Sequence, residues 1–227
     1  MQFLEWSYIG LRSARYVFES QDTGKTETLF PMLHLGEPQF YDQVYEDAAT
    51  HDAVLLEGVR ARTATRLTRV YRLTKPARMG LVVPPKFAVH GVRAVHGDIS
   101  EEEFEALWAD VPRRERLLLE FGAGAYGIWL RFAGSRAGIG NRMTTNDLKG
   151  RDEILGWSEA MAPTQRALID RRNDVLCDRL TGLLSDNDPA RSIAILYGAG
   201  HMPAVSRQLR AAGFRVVDAL WLTVFEA

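Results

Sequence analysis

Cysteine is nearly absent from this sequence, which contains one thiol, Cys177, among 227 residues. A single cysteine excludes a disulfide bond within the chain and a zinc site built from several cysteines. The lack of disulfides fits a reducing compartment. The simplest interpretation of Cys177 is a small residue of the hydrophobic core.

An excess of charge of one sign is also missing. Lys and Arg together number 28 and Asp and Glu together number 29, giving a formal net charge of −1. A balanced charge provides no general attraction to nucleic acid or to an anionic membrane. No segment is long and apolar enough to span a bilayer, and residues 1–6 lack a basic region followed by an apolar run. We therefore expect a cytoplasmic protein without nucleic-acid or membrane partners.

The remaining composition is ordinary for a globular protein and shows no internal repeat, low-complexity segment or linker. A chain of 227 residues can bury a full core as one α/β domain. We therefore predict a single domain over residues 1–227. Two small domains are a less economical alternative for a chain of this length.

Hydrophobic periodicity and turn residues divide the chain into strands and helices. Residues 13–20 and 29–34 predict a hairpin, and Pro38 predicts the start of a helix. Ser100 and Glu103 predict a capping box at the start of another helix. Further strands are predicted at 53–57, 81–83, 92–98, 192–197, 214–217 and 219–225.

Two glycine-rich segments invite a nucleotide-binding interpretation that the surrounding sequence excludes. Gly-Lys-Thr at 24–26 follows Glu19, where a P-loop needs its first glycine, and it leads into a strand instead of a helix. Residues 122–127 match G-x-G-x-x-G, with Asp147 downstream. That motif needs a strand before it and a second strand that carries the acid, and neither is predicted here. Small residues for close helix packing explain 122–127 more simply.

Four ionisable residues are predicted at the carboxyl ends of strands: His34, Glu57, Asp98 and His201. Ligands bind at this edge of open α/β sheets, so the four side chains converge on one crevice if their strands are parallel neighbours. Histidine and carboxylate ligands suit a divalent metal with open positions, and such a metal can activate a bound water. On this geometry Asp98 joins the other three as a candidate metal ligand.

Each of these residues also has an ordinary structural explanation. A lone histidine such as His34 is more often structural or solvated than functional. Glu57 could be exposed at the end of its strand, and Asp98 could equally cap a turn. The candidate site therefore depends on convergence, because the residues form a dispersed set and not a compact motif such as H-E-x-x-H.

Four short segments, taken in chain order, carry residues that point to a family. They are Pro-Met-Leu-His-Leu-Gly-Glu-Pro-Gln-Phe-Tyr at 31–41, Val-Leu-Leu-Glu-Gly at 54–58, Arg-Asn at 172–173 and Gly-Ala-Gly-His at 198–201. Together they resemble the TraB/PrgY/GumN family, which is related to the Tiki metalloproteases and, more distantly, to the erythromycin-esterase and ChaN-like haem-binding folds. The family has Gly-x-x-His in two places. Residues 198–201 match the second, whereas Pro31 stands where glycine is usual in the first.

The resemblance implies a fold, an activity and a cofactor. The fold is a single α/β domain of the erythromycin-esterase/ChaN-like type, with a central mixed, largely parallel sheet flanked by helices. The activity is that of a metal-dependent hydrolase, namely a peptidase in which a water activated by Mn, Co or Zn attacks an amide carbonyl.

Carried over by position, the resemblance implies that His34, Glu57 and His201 are metal ligands or catalytic residues. Glu57 would be either a ligand or the general base. Arg172 would hold a substrate carboxylate or stabilise an oxyanion, a role that suits its planar guanidinium. Asn173 lies beside it as a second substrate-binding residue.

Three other functions stay open, because a fold does not determine a chemistry. A metal-free, esterase-like hydrolase would use a histidine as base. A non-enzymatic protein could bind a peptide or haem on the same scaffold, and a structural or regulatory module would have lost activity. For the hydrolases we expect a peptide or small-molecule substrate, and a homodimer is compatible with the sequence.

Overall fold

The computed structural model describes residues 1–59, 61–68, 71, 76–88, 91–141, 143, 145–146 and 161–227. Asp147 lies outside these residues. The eight described strands are β1 (Gln2–Ser7), β2 (Gly10–Ser20), β3 (Thr26–Met32), β4 (Ala53–Leu56), β5 (Arg93–His96), β6 (Thr145–Asn146), β7 (Ser192–Gly198) and β8 (Phe214–Glu226). They form one mixed sheet in the order β5-β4-β7-β3-β2-β1-β6, with β8 paired to β2.

Helices connect these strands. They are α1 (Pro38–Ala48), α2 (Arg62–Thr68), α3 (Glu101–Asp110), α4 (Arg113–Ala133), α5 (Arg136–Gly140), α6 (Ala162–Gln165), α7 (Arg171–Leu184) and α8 (Met202–Ala211). A π-helical turn, Arg166–Asp170, joins α6 to α7, and 3-10 turns cover Pro76–Met79 and Ala199–His201. None of the described helices is both long and apolar enough to cross a membrane.

The sheet has a parallel half and an antiparallel half. β3, β7, β4 and β5 are parallel neighbours, whereas β2 runs antiparallel to β1, β3 and β8. The hairpin turn before β2 requires Gly10, which has φ +133° and whose added Cβ would lie 2.2 Å from the carbonyl oxygen of Phe225. The parallel half is the part that carries the candidate site.

Helices cover both faces of the sheet. On one face α1 places Phe40 and Val44 in a core with Phe30 of β3. On the other, α7 and α8 pack against Leu29 and Ile195. Successive strand residues thus enter opposite cores, which explains why the central strands are almost continuously apolar. The predicted α/β fold with a mixed sheet flanked by helices is confirmed.

Several predicted elements differ in detail. Residues 81–83 do not form a strand, because only Val82 makes a bridge, with Gly36. Residues 214–217 and 219–225 belong to the single long strand β8. Residues 122–127 lie inside helix α4, in agreement with the rejection of a dinucleotide-binding loop. Ser100 accepts a hydrogen bond from the backbone N–H of Glu103, which is one half of the predicted capping box, whereas the Glu103 carboxylate accepts from Arg171.

An unusual buried acid, Glu27, lies near the amino-terminal ends of the parallel strands. Glu27 of β3 is fully buried, and neither of its carboxylate oxygens has a hydrogen-bond partner among the described residues. Burial raises the pKa of Glu27 to about 9, although nearby Lys25 opposes the shift. The ammonium group of Lys25 donates hydrogen bonds to the carbonyl oxygens of Leu183, Ser185 and Asp188 and not to Glu27. Glu27 is therefore protonated at neutral pH.

We predict that Glu27→Gln reduces the loss of stability that accompanies rising pH. The raised pKa means that the folded protein binds a proton that the unfolded chain releases between pH 4.5 and about 9. The contribution of Glu27 to the free energy of unfolding is therefore complete below pH 4.5. It declines as the pH rises, and at pH 7 it is lower by about 3 kcal/mol. Urea unfolding at pH 4 and pH 8 measures the difference. Identical pH dependence in both proteins would contradict the prediction.

Candidate functional site

The parallel half of the sheet brings the four candidate residues to one edge. Glu57 directly follows β4, and Asp98 follows β5 by two residues. His34 follows β3 by two residues, and His201 closes the 3-10 turn after β7. Because the strand order is β5-β4-β7-β3, the residues follow one another along the edge as Asp98, Glu57, His201 and His34.

Arg172, at the start of α7, joins the two carboxylates. Its Nε and Nη2 donate to the two oxygens of Asp98, at 2.9 and 2.7 Å. Nη2 also donates to Glu57 Oε1 at 2.5 Å, and the guanidinium lies 5.8 Å from the centre of the Tyr197 ring. The planar guanidinium suits this double contact, which a lysine could not reproduce.

Asp98 is the more buried of the two carboxylates, with a side chain 1% exposed. Besides Arg172, its oxygens accept backbone N–H groups of Gly58 and Ile99, at 3.2 and 3.0 Å. Asp98 therefore connects the residues after β4 and β5 to the start of α7. This is the contact pattern of a residue that positions Arg172.

Glu57 has both oxygens in hydrogen bonds. Oε1 accepts from Arg172, and Oε2 accepts from the backbone N–H of Gly198 at 2.6 Å. A Cβ at position 198 would lie 3.0 Å from Oε2 and 3.6 Å from the ring of His201, so glycine permits this close packing. Burial alone would raise the pKa of Glu57, but Arg172, His201 and His34 outweigh it and lower the pKa to about 2. Glu57 is ionised at neutral pH.

His201 lies at the entrance to α8 and is 4% exposed. Its Nδ1 is 2.8 Å from the side-chain oxygen of Asn173, so Nδ1 is the nitrogen that carries the proton. The edge of its ring faces Tyr197, with the ring centres 4.9 Å apart. Asn173 thus orients the ring of His201.

His34 differs from His201 because its outer face is exposed. Its ring stacks on Tyr71, with the centres 4.6 Å apart. Desolvation lowers the pKa of His34, opposed by Glu57 and assisted by Arg172. The neutral imidazole is therefore the prevalent form at neutral pH, and it is accessible from solvent.

The two carboxylates among the predicted metal ligands already have other partners. The oxygens of Glu57 and Asp98 are held by Arg172 and by backbone N–H groups. Catalytic zinc sites use three protein ligands, and no cluster of three His, Cys, Asp or Glu side chains within the described ranges has a metal-binding arrangement. With the carboxylates engaged, the histidines are the remaining donors.

Two contributions to the site were not predicted from the sequence. Tyr197 contacts both Arg172 and His201, and its position next to the Gly-Ala-Gly-His segment was the available signal. A shallow groove of about 410 Å³ runs between α7 and α8 beside Asn173. The groove residues on α7 are Asn173, Asp174 and Cys177, and Asp170 of the preceding π-helical turn continues the same helical face. Cys177 is thus half-buried in a groove wall and is not a core residue.

Comparison with known protein families, with curated proteins and with solved structures found no match. The resemblance to the TraB/PrgY/GumN family stays a prediction from the sequence.

We predict that Arg172→Met strongly destabilises the protein. Methionine retains the apolar stem but leaves the buried carboxylate of Asp98 and the partly buried carboxylate of Glu57 without their cation, a loss of about 3–5 kcal/mol for a buried ion pair. Urea unfolding at pH 7 measures this change. The matched control is Arg171→Met, because Arg171 is 38% exposed and pairs with the exposed Glu103. Similar unfolding midpoints for both variants would contradict a structural role for Arg172.

Proposed function

We propose that this protein is a hydrolase that cleaves an ester or amide at the carboxyl edge of its parallel strands. The observation that carries the proposal is the arrangement at this edge, where Arg172 and the N–H of Gly198 hold the partly buried Glu57 carboxylate and His201 and His34 follow it on the next two strands. A neutral imidazole beside a fixed carboxylate is the arrangement that general-base catalysis requires. The carboxylate favours the imidazolium that forms when the histidine accepts a proton.

In this mechanism His34 is the general base. Its exposed face can contact a water molecule, and its lowered pKa keeps the imidazole neutral. The imidazole removes a proton from water while the water oxygen attacks the carbonyl carbon. As the tetrahedral intermediate collapses, the imidazolium returns the proton to the leaving alcohol or amine, so that water is consumed and two products are released.

The other residues hold this arrangement and contact the substrate. Arg172 and Asp98 fix Glu57, and Asn173 fixes His201. The Nη1 of Arg172 donates to the carbonyl of Leu168 at 3.3 Å, a weaker bond than those to the carboxylates. Nη1 is therefore the nitrogen that could exchange its partner for a substrate carboxylate or an oxyanion.

The metal-dependent peptidase implied by the resemblance is the second candidate. The observation that favours it is that His34 and His201 follow the neighbouring parallel strands β3 and β7 at the same edge of the sheet. The histidine nitrogens would hold the metal, which would supply a water of lowered pKa. For Glu57 to become a metal ligand as well, its hydrogen bond from Arg172 would have to break.

We predict that His34→Ala reduces kcat/KM by about 10²–10⁴, the usual contribution of a general base. The assay measures hydrolysis of a series of p-nitrophenyl esters and fluorogenic peptides by folded protein. His51→Ala is the matched control, since His51 precedes β4 at the opposite edge and bonds to Thr28. Equal losses in both variants, or no hydrolysis of any substrate by the wild type with or without metal, would contradict the proposal.

The pH profile and the response to metals distinguish the two candidates. For a histidine base, kcat/KM rises with pH as the imidazole loses its proton, and the midpoint of the rise lies below pH 6.5 because the pKa of His34 is lowered from 6.5. We expect this profile to be unchanged by a chelator. Activity that disappears with chelator and returns with Mn, Co or Zn would instead support the metal-dependent candidate.

A further inference from the structure

Helix α4 carries a broad apolar face that the rest of the described chain leaves exposed. Phe121 and Phe132 are 73% and 77% exposed, whereas Glu115 and Gly127 on the other side of the helix are buried. At about 100° per residue, the exposed apolar side chains fall within about 120° of the helix circumference. The six residues of this α4 apolar face are Leu117, Leu118, Phe121, Ile128, Trp129 and Phe132. Such a continuous apolar strip on a soluble protein marks an interaction site.

Arginines lie at both ends of the α4 apolar face. Arg113 and Arg114 are exposed in the first turn of the helix, and Arg131 lies in its last turn. None of these three forms an ion pair with any residue that the structure describes. The guanidinium of Arg131 lies 5.7 Å from the centre of the Phe132 ring, so the cation stands directly beside the apolar face. Arg78 adds a further cation at this end, since it donates to the carbonyl oxygen of Arg131 at 3.4 Å.

The acidic side chains of α4 do not neutralise these arginines. Glu115 is buried and accepts a hydrogen bond from the hydroxyl of Thr164 at 2.6 Å. Glu120 pairs with Arg66 of α2 at 3.3 Å. The net charge of −1 for the whole chain therefore conceals an uneven distribution, because the surface around the α4 apolar face is positive. The balanced composition predicted no membrane partner, and this local surplus could not be recognised from the totals.

We propose that the α4 apolar face docks onto the surface of an anionic lipid bilayer, with the helix axis parallel to the membrane. The apolar side chains enter the boundary between head groups and acyl chains, and the arginines contact the lipid phosphates. Trp129 lies at the margin of the face, where its indole N–H can stay among the head groups. Apolar burial and charge attraction both contribute, and together they give reversible binding without a membrane-spanning segment.

The charges and the side chains of this face favour a lipid surface over a protein partner. Arg113 and Arg131 are about five helical turns apart and so follow the same margin of the face. If two α4 helices packed face to face, like charges would meet in either orientation, which disfavours a second copy. Trp129 is the only member of the face with a hydrogen-bonding group. Protein interfaces form about one hydrogen bond per 100–200 Å², whereas acyl chains require none.

Cosedimentation of the whole chain with lipid vesicles tests the proposal. We expect binding to phosphatidylcholine vesicles that contain phosphatidylserine, and weaker binding both to phosphatidylcholine alone and at raised salt concentration. Ile128→Asp should lower the affinity by at least about tenfold, because it removes buried apolar area and adds a repelled charge. Val217→Asp is the matched control, since Val217 is also 56% exposed but lies on β8. Absence of binding to the mixed vesicles, or equal losses in both folded variants, would overturn the proposal.

Two further measurements test the charges and the alternative occupant. Arg113→Gln and Arg131→Gln should each weaken binding to the mixed vesicles about fivefold, whereas the control Arg215→Gln, an exposed arginine on β8, should not. Unchanged binding in both α4 variants would contradict the role of the arginines. Sedimentation equilibrium without lipid measures self-association. A wild type of twice the chain mass of 25.5 kDa that becomes monomeric in Ile128→Asp would show that a second copy covers the face, and would overturn the proposal.

Discussion

The contact of one guanidinium with two carboxylates is the constraint on which the candidate site depends. Arg172 binds Asp98 through two hydrogen bonds and Glu57 through a third, with a side chain that is 13% exposed. Two buried carboxylates would repel each other without this cation, and each would lose hydration that nothing replaced. Arg172 keeps Glu57 ionised, and the charge of Glu57 in turn acts on His34 and His201. The electrostatic environment of the histidines therefore depends on an ion pair with a residue of a different element.

The acids at the two ends of the parallel strands have pKa values shifted in opposite directions. At the carboxyl edge, Glu57 has a cation and a backbone N–H, and its pKa falls to about 2. At the other edge, Lys25 lies near Glu27 but donates its hydrogen bonds to carbonyl oxygens, and the pKa of Glu27 rises to about 9. Nearby positive charge, more than the depth of burial, decides which acid carries a charge. A permanently charged acid is the one that can act on neighbouring histidines.

The position of the candidate site could be predicted from the sequence because it depends on strand ends. Apolar runs that stop at His34, Glu57, Asp98 and His201 place these residues at one edge once the strands are parallel. The partners of the carboxylates could not be predicted, since Arg172 reaches them from a helix more than seventy residues away from Asp98 in sequence. β1 was also missed, because its buried Phe3 and Leu4 are adjacent and do not alternate.

A direct titration of the Glu57 carboxyl group by ¹³C NMR tests the central claim most sharply. If Arg172 and the two histidines hold the anion, the pKa of Glu57 lies near 2, well below its ordinary 4.5. The signal should then stay in its ionised position throughout the neutral range and change only at strongly acidic pH. A pKa at or above 4.5 would contradict the account, because burial would then outweigh the contact with Arg172 and Glu57 would lack the fixed charge that the proposed chemistry needs.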